Sequence, residues 1–375
     1  MAEAAGGQDL RARLRAAKPA ERGPLLRAAY LAAGPQPGRI DLLTTAHQLE
    51  PALAAGVLED LCREAPEDAV ARAALIEIRQ REGDAPAARR LAGEDLARHR
   101  ESPAAALAYL QMAAADPAPE THLVARLLAA LPRSIARDSL ALLFAGRLGR
   151  ALLPVEPEAF AQDLRERAVR VIRSEAEQDP ATGVFHARVA QASTVAVIGN
   201  GPSLLGQGRG AALDAMPLLV RCNFPMLAGL EADLGHRTDI VFFVQALKSR
   251  IAGELAARHP SFRDAWLAFY AGAHPGPPAP ILIEGRPARH CQLPHELARL
   301  GVSLSYSAAT TGLRALIFFA VFAGRPVAAH GFDFFGGAHS AWRARPAIPG
   351  LHHRPNFERG FCTHVLAPHF GVAFS

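Results

Sequence analysis

Two patterns of apolar residues divide the chain. Up to about residue 180 they recur at helical spacing, in runs rich in Ala, Leu, Arg and Glu that are broken by Pro or by Gly-Asp. The clearest unit predicts a helix over Ala69–Arg81, a turn at Glu82-Gly83-Asp84 and a second helix over Pro86–Arg100, with Ala88, Leu91, Ala92 and Leu96 on one face. Pro86 falls in the first turn, where its missing N–H costs nothing, and Pro103 opens the next unit. A charged, amphipathic helix is expected over Glu158–Glu177, and the turn-rich Gln178–Gly183 marks a boundary. From Val184 the pattern becomes short, continuous apolar runs of strand length. Thr194–Ile198, Leu218–Cys222 and Ile240–Val244 each read as a strand buried on both faces.

These patterns predict a first domain over 1–180, all helical, and a second over 181–375, a Rossmann-like α/β domain with a mostly parallel sheet. Gly83, the small Ala88 and the closing Pro103 resemble the second half of a tetratricopeptide repeat, whose first-helix signature is absent. Repeated helical hairpins suit packing or docking of a protein partner. In the second domain, Arg250–Arg258 and His295–Leu300 read as helices, His274–Pro280 as a Pro/Gly loop and Ile281–Glu284 as a strand. Leu313–Phe322 reads as a helix, Val327–His330 as a strand, and the last 45 residues as loop-like.

Composition narrows the classes. Hydrophobic residues make up 50% of 375, so the chain is globular and long enough for a sizeable core. The formal net charge of +5 comes almost wholly from Arg, with Lys only at positions 18 and 248, and it is spread along the chain. No nucleic-acid partner is expected from so even a distribution. Cys62, Cys222, Cys291 and Cys362 lie far apart without a CxxC pair, which argues against a zinc site or a disulfide scaffold. The N-terminus lacks an apolar signal core, and Ile317–Ala323, the most apolar run, is far short of the roughly 18 residues a membrane span needs. A cytoplasmic protein is expected, free or at the inner membrane face.

Candidate chemistry gathers at the ends of the apolar runs. The first leads into Gly199-Asn200-Gly201-Pro202-Ser203, where backbone amides and small residues suit a phosphate. The glycines at 199, 201, 206, 208 and 210 do not follow GxGxxG, and no GK[ST] follows, so neither a dinucleotide fingerprint nor a P-loop is present. Thr310-Thr311-Gly312 opens a helix and suits either an anion or simple capping by Thr. His339 and His353 lie outside any metal-ligand spacing, and imidazoles near a phosphate site serve proton transfer near neutral pH.

Read together, these segments resemble glycosyltransferase family 29, the animal-type sialyltransferases. The large motif of that family is matched by Val195–Leu205, Arg221-Cys222-Asn223 and Glu231-Ala232-Asp233-Leu234-Gly235-His236-Arg237-Thr238. The small motif is matched by Thr310-Thr311-Gly312-Leu313-Arg314-Ala315-Leu316, and its end by Gly331-Phe332. His339 with Trp342 fits the third motif, and His353 with Phe357 and Glu358 fits the last. The resemblance covers about residues 190 to 360 and implies a GT-A-variant-like fold. Where secretory members carry a disulfide between the large and small motifs, this chain has Val195 and Ala323; the tyrosine before the small motif is displaced to Tyr306.

The resemblance implies an inverting transfer of a 2-keto sugar acid, sialic acid or Kdo, from its CMP donor to a saccharide or glycolipid hydroxyl. It implies donor binding by Asn200, Gly201, Ser203, Asn223, Thr310, Thr311 and Gly312. His339 would stand at the leaving phosphate and His353 would be the general base. No cofactor beyond the CMP-activated donor is expected, and no metal, since no DxD stands beside the sheet; Asp333 reads as a strand-end hydrogen-bond acceptor. The Arg-rich, Cys-poor make-up reads as bacterial. Rival readings are a motility-associated-type transferase, which shares the Gly201–Leu204 turn, a Rossmann oxidoreductase, and a non-catalytic nucleotide-binding scaffold.

Overall fold

The computed structural model describes residues 2–33, 36–100, 102–148, 155–223, 227–243, 259–270, 281–283, 285–305, 309–334 and 353–375. The chain forms two compact units. One comprises Met1–Arg133 with Ile348–Phe357, the other Ser134–Ala347 with Glu358–Ser375. The division therefore falls near 133 rather than at 180. The expected break at Gln178–Gly183 shrinks to one residue: Asp179 ends the helix Pro157–Gln178 and caps the helix Pro180–Gln191, its carboxylate accepting from the Ala181 amide. Both helices belong to the sheet's unit, because that sheet needs helices to cover its apolar face.

The first unit is built of helices, from Ala2–Ala16 to Thr121–Ala130. Ala69–Arg81, a turn with Gly83 at φ +79°, and Ala85–Arg98 form the hairpin expected from the pattern. Asp68 and Asp84 cap its two helices through their carboxylates, and Ser102 caps Pro103–Ala115. Leu26, Tyr30, Leu43, Leu58, Leu75 and Ile78 belong to one buried cluster of this unit.

The second unit is built on a seven-stranded, wholly parallel sheet. Its strands are β1 (Val195–Ile198), β2 (Leu218–Cys222), β3 (Ile240–Phe243), β4 (Trp266–Tyr270), β7 (His290–Leu293), β8 (Val327–His330) and β9 (Val372–Phe374). A separate two-stranded ribbon pairs β5 (Leu282–Ile283) with β6 (Arg286–Pro287). The order β7-β4-β3-β2-β1-β8-β9 reverses at β1, which pairs β2 on one side and β8 on the other. In open α/β sheets such a reversal leaves a crevice at the carboxyl ends of the strands.

Every residue of β1 to β4 is buried, as fits strands covered on both faces. One face packs Ala196, Ile198, Leu219, Val241, Phe243, Leu267 and Phe269 with Leu213, Leu234 and Phe262. On the other, Phe242 meets Phe318, Phe319 and Tyr270, and Phe185 meets Trp266 and Phe318. The apolar run after Thr310 is a buried helix, α-helical over Thr311–Leu316 and π-helical over Ile317–Phe322. The tail departs from the loop-like expectation. It holds the helix Pro355–Phe361, a π-helical turn Cys362–Leu366, a short helix Ala367–Phe370 and the edge strand β9. Of the remaining expectations, Arg250–Arg258 and His274–Pro280 lie outside the described residues, and the helix at His295 extends to Ser305.

Candidate functional site

The crevice is formed by the turns leaving β1, β2 and β8 and by the start of the helix at Thr311. The chain leaving β8 crosses directly over the turn after β1. Gly199 N donates to His330 O at 2.8 Å, Gly201 N to Gly331 O at 2.9 Å, and Ser203 N to an Asp333 carboxylate oxygen at 2.9 Å. A Cβ on Gly199 would stand 2.4 Å from Gly331 O, and one on Gly201 would stand 2.2 Å from the Asp333 carboxylate. The glycines are thus demanded by this crossing. The Gly201 and Ser203 amides, expected to cradle a phosphate, are already donated within the protein. Asp333 is the strand-end acceptor its position suggested.

The Phe332 ring joins this turn to the helix start. It would lie 3.3 Å from a Cβ on Gly199 and 2.8 Å from one on Gly312. Thr310 caps that helix, its hydroxyl accepting from Leu313 N at 3.3 Å. Thr310 is itself held by the buried carboxylate of Glu358, which accepts from the Thr310 amide at 2.9 Å and its hydroxyl at 2.6 Å. The amides of Thr311 and Gly312 have no partner among the described residues, as befits the first turn of a helix. Both amides are available to an anion.

Two asparagines stand at neighbouring strand ends. Asn200 Nδ2 donates to Cys222 O at 3.2 Å, tying the first turn to the end of β2. Asn223 takes up the left-handed conformation, φ 57°, and its amide donates to Phe242 O at 2.8 Å. Asn223 Oδ1 is buried and has no partner among the described residues. An orphaned buried acceptor costs stability, so a donor that reached it would be favoured.

Much of the long motif after β2 is scaffold. Arg221 is 1% exposed, and burial pulls its guanidinium down to about 10. It donates to Thr238 Oγ1 and to the carbonyls of Leu234 and Arg237, closing the 234–238 loop. The Asp214 carboxylate accepts from the amides of His236 and Arg237, each at 2.8 Å. Asp233 accepts from the amides of Gly206 and Gly208 at 2.8 and 2.7 Å, which hold its carboxyl below the usual range. These acids are satisfied by backbone.

His339 lies outside the described residues. His353 is half-buried in the segment that clusters with the helical unit, where its carbonyl accepts from Arg81 Nη2 at 2.7 Å. Glu358, which the sequence left without a role, holds the start of the helix; its pairing with Thr310 spans 48 positions and has no periodic signature. Burial pushes the Cys222 thiol up to about 12, which leaves it unreactive. The four cysteines are unpaired, and no cluster of three or more His, Cys, Asp or Glu suited to a metal occurs among the described residues. Among them, no helix is long and apolar enough to cross a membrane.

A parallel α/β sheet with its polar turns gathered at a reversal of strand order is Rossmann-like. Within that class, residues 159–268 match the sequence profile of Glycosyltransferase family 29 (sialyltransferase). The match begins in the helix Pro157–Gln178 and ends in β4, so it takes in the turns after β1 and β2 and stops before Thr310 and His353. Sialyltransferase-like protein 2 of Oryza sativa subsp. indica is 40% identical over 82 residues, which are 22% of this chain and 18% of that protein. A mammalian sialyltransferase structure aligns at 18% identity and a TM-score of 0.38 over 68% of this chain and 84% of that one. A second, in complex with Gal-beta-1-3GalNAc-ortho-nitrophenol, aligns at 18% identity and 0.37 over 66% and 88%.

Proposed function

We propose that the chain is a CMP-sugar-dependent glycosyltransferase that moves a 2-keto sugar acid, sialic acid or Kdo, to a hydroxyl of a saccharide or glycolipid. The observation that carries this reading is the pair Asn200 and Asn223 at adjacent strand ends, with Asn223 Oδ1 buried and unpartnered. It lies in the stretch that matches the sialyltransferase profile. An amide oxygen there accepts from an amino group or hydroxyl of the nucleotide. The Thr311 and Gly312 amides, at the positive end of a helix, hold the phosphate or the sugar carboxylate. Gly201 and Ser203 shape the floor of the site, with the exposed Ser203 hydroxyl as a further donor.

In the reaction, the acceptor oxygen bonds to the anomeric carbon of the sugar as the bond from that carbon to the phosphate oxygen breaks. The anomeric centre inverts and CMP departs as a monophosphate. Charge grows on that phosphate, and preorganised donors oppose it. His339 donates to the departing oxygen, and His353 takes the proton of the attacking hydroxyl. No step calls on a metal. An oxidoreductase of the Rossmann type places an acid at the end of its second strand, where this chain has Asn223.

Thermal melting with CMP, CDP and NAD tests the nucleotide, because a ligand bound only by the folded state raises the transition. CMP release from CMP-sialic acid and CMP-Kdo over a panel of disaccharide acceptors tests the transfer. A shift with CMP but not NAD, and acceptor-dependent CMP release, are expected. A shift with NAD alone, or no turnover of either donor, contradicts the reading.

A further inference from the structure

Arg314 stands one turn into the helix that opens at Thr311 and is half-buried there. Helical side chains lean towards the N-terminus, so this one reaches back over the helix start. Its Nε donates to Ala309 O at 2.9 Å, which seats the guanidinium beside the residue that precedes the Thr310 cap. Tyr270, the last residue of β4, meets the same helical turn: it is 6% exposed, and its hydroxyl donates to Arg314 O at 3.5 Å. Burial pushes the Tyr270 phenol up and the Arg314 charge opposes that rise, so the guanidinium is within electrostatic reach of the tip of β4. Arg314 Nη1 and Nη2 have no partner among the described residues. Glu358, the acid at the helix start, gives one oxygen to the Thr310 amide and the other to its hydroxyl. A half-buried guanidinium without an acid leaves its planar fork open, and that fork matches a carboxylate through two parallel bonds.

We infer that Arg314 is a specificity-determining residue that takes the carboxylate of the donor's 2-keto sugar acid. This rests on the reading of the chain as a CMP-sugar transferase. In such a donor one anomeric carbon bears both the carboxylate and the phosphate oxygen, so the two anions need neighbouring subsites. The Thr311 and Gly312 amides serve the phosphate, and the guanidinium beside Ala309 serves the carboxylate. β4 stands two strands from β2, about 10 Å at the usual strand spacing, so the sugar end of the donor lies towards β4 and the nucleotide end towards Asn223. An aldose donor has a hydrogen where the carboxylate stands and leaves the fork empty, so the residue selects sugar acids over neutral sugars.

The test uses the full chain with Arg314→Met, which keeps an apolar stem and removes the charge, and Arg314→Lys, which keeps the charge without the fork. Calorimetry reads affinity for CMP, for whichever of CMP-sialic acid and CMP-Kdo the wild type turns over, and for the methyl ester of that donor's carboxylate. The wild type is expected to bind the acid more tightly than the ester by about tenfold or more. In Arg314→Met, CMP affinity stays within about twofold, acid affinity falls by about ten- to a hundredfold, and acid and ester bind alike. Arg314→Lys recovers part of the preference for the acid. Equal wild-type affinity for acid and ester overturns the inference with no variant needed. A preference for the acid that survives intact in Arg314→Met overturns it too, as does a loss of CMP affinity in step with that of the donor, which puts the guanidinium at the phosphate. If Arg314→Met does not fold, Arg314→Lys decides: a preference as strong as that of the wild type overturns the fork. Binding of CMP with neither donor bound or turned over contradicts the transferase reading itself, and this inference falls with it.

Discussion

Glu358→Ala removes both acceptors that hold Thr310 at the start of the buried helix. The carboxylate is 2% exposed and takes the Thr310 amide at 2.9 Å and its hydroxyl at 2.6 Å. Each hydrogen bond to a charged acceptor contributes about 1.5–3 kcal/mol, and the orphaned amide adds its own desolvation cost. Removal also relieves the cost of burying the carboxylate, which offsets part of the loss. The expected net destabilisation is about 2–4 kcal/mol. Glu358→Gln retains one acceptor for the amide and turns a donor to the hydroxyl, so its cost is about 1–2 kcal/mol. Thr310→Val loses the cap and the hydroxyl bond at about 1–2 kcal/mol. Urea unfolding followed by circular dichroism reads these values. At a slope near 3 kcal/mol/M, Glu358→Ala moves the midpoint by about 1 M. Glu358→Ala and Thr310→Val together cost less than their sum, because they share one bond. A Glu358→Ala midpoint within about 0.2 M of wild type, with an unchanged slope, refutes the account of how the helix start is held.

Further perturbations read other parts of the account. His353→Ala leaves CMP affinity intact and removes most transfer; a near-wild-type rate sinks the base assignment. Gly201→Ala cannot place its methyl group between the Asp333 carboxylate and Gly331 O, at 2.2 and 2.6 Å, without breaking the crossing of the two turns. Loss of soluble protein, or a melting temperature lower by several degrees, is expected, and a wild-type melting curve contradicts it. The His186 imidazole is half-buried and burial pulls it down to about 4, with Nε2 unpartnered among the described residues. Because the folded value lies below the ordinary 6.5, the unfolded chain binds more protons between those values. Stability is full above about 6.5 and falls as pH drops towards 4, and His186→Gln flattens that slope in urea melts taken across the range.

The parts of the fold legible in the sequence are those with uniform burial. Val195–Ile198, Leu218–Cys222 and Ile240–Phe243 are buried on both faces, so each shows as a continuous apolar run. The hairpin at 69–98 shows through its Gly turn, the proline in its second helix and that helix's apolar face, while its Asp68 and Asp84 caps emerge only in the structure. His290–Leu293 alternates half-buried and buried residues beside β4, and Val372–Phe374 is three residues long, so neither edge strand announces itself. The tail hid its helices because Pro355 and Pro368 and a π-helical turn break the 3.6-residue period. At the site, the Gly-rich turn was visible but its cause was not: the glycines answer to Gly331 and Asp333, residues 130 positions away in the Ser203 pairing. Pairings at such separation follow from topology, and no local spacing encodes them.

Calorimetric titration of CMP into wild type and Asn223→Ala bears most directly on the central claim. The account predicts one site on the wild type, and affinity weaker by about tenfold or more in the variant, the loss of roughly one buried hydrogen bond. Equal affinity in both proteins, or no heat with wild type, contradicts it.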